Sequence, residues 1–70
     1  MQVVIRTPEA EIFSHEARCV SLVNELGAMQ VFPGHASLQG TILLSPLRIE
    51  MADREEDFII QQGFIMIDQA

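Results

Sequence analysis

The sequence predicts an all-β fold, a small antiparallel sandwich or barrel of short strands. Three observations predict it. Ile- and Val-rich runs recur roughly every 8–12 residues, with Gly, Pro, Asn or Asp between them. Leu47-Arg48-Ile49-Glu50-Met51 alternates with period two, the mark of a half-buried strand. No helical window of convincing length survives the breakers. The chain of 70 residues is read as one domain, residues 1–70.

Val3-Val4-Ile5 is β-branched and closes at Thr7-Pro8, which places a first strand over about residues 2–7. Ile12-Phe13 begins a second extended piece, with Ser14-His15-Glu16 expected to interrupt it as a turn. Alternation returns from Ala17 to Val23, and Asn24-Glu25-Leu26-Gly27 is a turn signal. Ala28 to Phe32 forms the next strand and runs into Pro33-Gly34. Pro33 fixes φ and lacks a donor, while Gly34 can take the positive φ of a type II turn. His35 is thereby presented just past a sharp corner.

Beyond the corner, Ala36 to Gly40 is expected to be irregular. Thr41 to Leu44 is a short strand ended by Ser45-Pro46, and Leu47 to Met51 is another. The charged run Asp53 to Asp57 reads as a solvated hairpin tip. Asp57–Gln62 and Phe64–Ile67 are the last strands, separated by Gly63 as a bulge or tight bend. Phe58-Ile59-Ile60 is apolar on both faces, so one face looks to the core and the other is free to meet a partner.

Composition narrows the function. The chain carries a net charge of −6, with Arg6, Arg18, Arg48 and Arg54 as its four cations. Phosphate binding needs a basic footprint, so charge argues against a nucleic-acid partner. The hydrophobic share of 49% suits a globular chain rather than a disordered one. A domain this small buries only about 60% of its unfolded surface, so support from a partner or an oligomer is expected. No apolar run reaches the roughly 20 residues of a membrane helix, and no signal peptide opens the chain. The expectation is a soluble, intracellular protein with no direct membrane insertion.

Candidate chemistry is sparse. Cys19 stands among Ala17, Val20 and Leu22, where a thiol serves as a small buried apolar side chain. His15 and His35 are too far apart for a short-spaced metal site, and no orienting group or oxyanion hole completes a Cys-His pair. Asp53 to Asp57 lacks the alternating ligands and central glycine of an EF-hand loop. No phosphate-cradling loop surrounds Gly27 or Gly34. No catalytic residue, cofactor or metal is assigned, and His15 is expected on a surface turn.

The segment Glu25-Leu26-Gly27-Ala28-Met29-Gln30-Val31-Phe32-Pro33-Gly34-His35-Ala36-Ser37-Leu38 resembles the signature of the epsilon subunit of bacterial and chloroplast F-type ATP synthases. The family places a Gly-containing turn before a Val/Ile-Leu-Pro-Gly-His run. Thr7-Pro8-Glu9, Ile12-Phe13-Ser14, Leu47-Arg48-Ile49 and Gln62-Gly63-Phe64 match further stretches in the same order, so the likeness spans nearly the whole sequence. It is specific at Pro-Gly-His and looser elsewhere. Gln30 stands where the family usually has Gly, and Ser37 where Pro is frequent.

The resemblance implies a two-sheet sandwich. It further implies a non-catalytic place in the rotor stalk, between the gamma subunit and the c ring, on the cytoplasmic face of the membrane. There the protein would couple proton or sodium flow to ATP synthesis. The contact residues it suggests are Glu25, Met29, Pro33, Gly34 and His35. The family's C-terminal helical hairpin, which can restrain ATP hydrolysis, has no counterpart in these residues, and neither has its final strand. The backbone of Phe64–Ile67 is therefore expected to be an open edge, prone to self-association. A stand-alone β-sandwich interaction module unrelated to a rotor is the other class left open, because fold does not fix function.

Overall fold

The computed structural model describes residues 1–24, 27–34 and 37–69. Six strands form one antiparallel sheet: β1 (Gln2–Arg6), β2 (Glu11–Glu16), β3 (Cys19–Asn24), β4 (Gly27–Val31), β5 (Leu38–Glu50) and β6 (Glu55–Asp68). Their order is β2-β1-β6-β5-β3-β4. The described residues contain no helix, and the all-β class holds.

The β5–β6 hairpin turns this single sheet into two layers. Its ladder runs from Leu38↔Ile67 to Leu43↔Gln62, then resumes at Ser45↔Ile60, stepping over Leu44 and Gln61. Inward positions on β5 change from Ile42 to Ser45, Leu47 and Ile49, and on β6 from Ile60 to Gly63, Ile65 and Ile67. Leu44 takes φ +46°, a backbone state that an L-residue adopts at a cost. One arm of the hairpin continues through β1 to β2, and the other through β3 to β4.

Side chains of both layers meet in one core. Val3, Ile5, Phe13, Val20, Leu22, Ile42, Leu47, Ile49, Ile60, Ile65 and Ile67 are all buried in a common cluster. The Phe13 ring of β2 meets Phe58 of β6 edge-on at 5.8 Å, a favoured aromatic geometry. The Ala17 N–H donates to the Met1 carbonyl and the Arg18 N–H to the Glu50 carbonyl, which fixes the passage from β2 to β3. Cys19 is buried, as expected of a small apolar side chain.

Several local expectations are corrected. Ser14, His15 and Glu16 do not turn: they continue β2, paired with β1 as far as Gln2↔Glu16. Ser45-Pro46 does not end a strand, so the two strands expected over residues 41–51 are one, and it begins at Leu38. The reason is a substitution of donors. The β3–β5 ladder stops at Leu22↔Leu47, and the next pair would set Val23 against Pro46, which has no N–H. The buried Ser45 hydroxyl takes that place: it accepts the Val23 N–H at 3.2 Å and lies 2.9 Å from the Val23 carbonyl as donor.

Gly63 divides nothing. It sits buried within β6 opposite Ile42, and the hairpin tip lies at Met51–Arg54, with Glu55 to Asp57 already in the strand. The expected open edge at Phe64–Ile67 is also overturned. These residues pair with β1 on one side and β5 on the other, so their backbone has no free side to recruit another copy. β1 occupies the place that sequence reasoning left empty, because strands adjacent in the sheet lie at opposite ends of the chain.

Candidate docking surface

The edge strands are β2 and β4, and they differ. β2 carries Glu11, His15 and Glu16, and its register with β1 shifts at Ile5/Arg6, two devices that discourage edge pairing. His15 lies exposed with its ring edge-on to Phe13 at 5.0 Å. β4 reads Gly-Ala-Met-Gln-Val and carries no charge. Gly27 opens it at φ +119°. Gln30 points outward and donates from Nε2 to the Ser21 Oγ of β3 at 3.3 Å.

Of the expected contact residues, Pro33 and Gly34 form an exposed turn directly after β4, and Gly34 takes φ +92°, as its place in the corner requires. Met29 is half-buried and packs against the core opposite Leu22. Glu25 and His35 lie outside the described residues. So does part of the turn expected at Asn24–Gly27, whose flanking strands pair Asn24 with Gly27.

Sequence reasoning did not single out a groove of about 960 Å³. It crosses β4, β3, β5 and β6, and its lining includes Val23, Ala28, Met29, Pro46 and Ile59. Ile59 is 79% exposed, and Leu43 and Leu44 at the hairpin corner are nearly as open. The signal for it was the two-sided apolar run Phe58-Ile59-Ile60. At one end the Arg48 Nε donates to the Asp57 carboxylate at 2.8 Å. That hydrogen bond, opposed by some desolvation and helped by charge attraction, holds the Asp57 carboxyl below its ordinary range, and it raises Arg48 in turn. Among the described residues no His, Cys, Asp and Glu side chains gather into a group that could hold a metal ion.

The sequence model of the ATP synthase delta/epsilon chain β-sandwich domain matches residues 1–70. The chain belongs to this family. It is 41% identical over 66 residues to the ATP synthase epsilon chain of Delftia acidovorans, covering 94% of this chain and 48% of that protein. It is 39% identical over 66 residues to that of Campylobacter fetus, covering 93% and 51%. With the epsilon chain of Aliarcobacter butzleri the identity is 34% over 65 residues, covering 93% and 52%. The chain thus spans about half the length of these curated relatives. No solved structure gives a significant match. Within the family's β-sandwich, the corner follows β4, and Ala28, Met29 and Gln30 of β4 line part of the groove.

Proposed function

We propose that this chain serves as the N-terminal β-sandwich of an ATP synthase epsilon-type subunit, a non-catalytic part of the central rotor stalk. In that role it docks to the gamma subunit and seats the stalk on the c ring, at the cytoplasmic face of the membrane. It passes torque between them and so couples proton or sodium flow to ATP synthesis. The observation that carries this reading is the family match over residues 1–70, together with relatives named ATP synthase epsilon chain. The paired backbone of both layers supports it, since a torque-bearing part must be stiff. Pro33 and Gly34 shape the contact corner, and Glu25, Met29 and His35 complete the proposed contact set.

The test is co-purification of the chain with its cognate gamma subunit, followed by titration of His35→Ala. Stoichiometric association that weakens in the variant, with an unchanged β-sheet circular dichroism spectrum, is the expected result. A folded chain that associates with neither gamma nor the c ring would instead favour the stand-alone interaction module.

A further inference from the structure

The passage from β4 to β5 must cross from one layer to the other, and its described residues are exposed. Phe32 is about half-exposed and Pro33 and Gly34 are exposed, so little apolar burial anchors the turn. Pro33 contributes no N–H, which leaves the Phe32 carbonyl and the Gly34 N–H on either side of it to be satisfied. Both are met by one side chain from the far end of the chain. The Gly34 N–H donates to Gln69 Oε1 at 3.3 Å, and Gln69 Nε2 donates to the Phe32 carbonyl at 3.2 Å.

The same residue holds the other end of the crossover. The Gln69 backbone N–H donates to Ser37 Oγ at 3.1 Å, and its Nε2 also lies 3.5 Å from Met1 Sδ. An uncharged amide suits the turn because it offers one acceptor and one donor side by side. A proline at position 37 could not make the bond that the Ser37 hydroxyl makes.

We propose that Gln69 is a positioning residue: its amide clamps the Phe32–Gly34 turn to the end of β6 and sets the docking corner before a partner arrives. The docking half rests on the proposed function. A corner already held in place loses less freedom on binding, so affinity depends on the clamp without Gln69 touching the partner.

The test uses the chain with Gln69→Met, which keeps side-chain length but has neither amide bond, and with Gln69→Glu, which keeps only the acceptor. Amide exchange by NMR is followed at Gly34, with buried Ile5 as the reference for global opening. Gln69→Met is expected to speed Gly34 exchange about tenfold with Ile5 unchanged, and to weaken gamma binding roughly 3- to 10-fold. Gln69→Glu should retain most of the Gly34 protection. Unchanged Gly34 exchange in Gln69→Met overturns the clamp, as does equal acceleration at Ile5, which would make the role one of global stability. Faster exchange with unaltered gamma affinity overturns the docking half. If the wild-type chain binds no gamma at all, the proposed function fails and the docking half with it, while Gly34 exchange still decides the clamp.

Discussion

Gly63 lies against Arg6 so closely that no side chain fits between them. A Cβ at position 63 would stand 2.9 Å from the Arg6 carbonyl oxygen and 2.8 Å from the Ile60 Cγ2. The glycine is therefore required by the approach of β1 to β6, not by a bend in β6.

Gly63→Ala forces the β1 backbone aside and should destabilise the domain by about 1–3 kcal/mol. Urea unfolding followed by circular dichroism measures it. A loss below a few tenths of a kcal/mol would mean that β1 moves away freely.

Ser45→Ala removes the hydroxyl that accepts the Val23 N–H and donates toward the Val23 carbonyl, and Pro46 has no N–H to replace that donor. The expected cost is about 1–3 kcal/mol, larger than that of an exposed Ser→Ala change elsewhere. Amide exchange at Val23 should rise together with the fall in the urea midpoint.

Asp57 gives a pH dependence whose sign is fixed. Its carboxyl is held below the ordinary value of 3.8, first by the hydrogen bond from Arg48. The pair's contribution is complete above that value and is lost as the pH falls through the depressed folded pKa. Arg48→Met should return the Asp57 titration upward towards 3.8 and remove this part of the acid sensitivity. Carboxyl-carbon NMR titration of Asp57 in both proteins checks it, and an unmoved titration would show that the pair is absent in solution.

Positive φ separates two superficially similar positions. Gly34→Val has open space for its Cβ but a φ of +92°, so its cost is backbone strain, about 1–2 kcal/mol. Leu44 already bears such strain at φ +46° while 74% of its surface is exposed. Leu44→Asn gives up little burial and tolerates that conformation better, so it should raise stability by up to about 1 kcal/mol. Thermal unfolding of the two variants should move in opposite directions.

The sequence by itself determined the strand content, because Ile/Val runs and period-two alternation are local properties of the chain. It also determined the Pro33-Gly34 corner, where a fixed φ and a positive φ stand side by side, and it pointed to the family through the residues around that corner. Breakers misled it. Ser45-Pro46 and Gly63 look like strand ends when seen alone, yet both lie inside long strands. Only the tertiary structure supplies the reasons, a hydroxyl replacing the missing Pro46 donor and the Arg6 backbone filling the space beside Gly63. Tertiary structure also decided that Phe64–Ile67 is an interior strand, since its partner β1 comes from the opposite end of the sequence. The hold of Gln69 on the Phe32–Gly34 turn spans 35 to 37 residues. Local patterning carries no trace of contacts that exist only once the sheet has folded over itself.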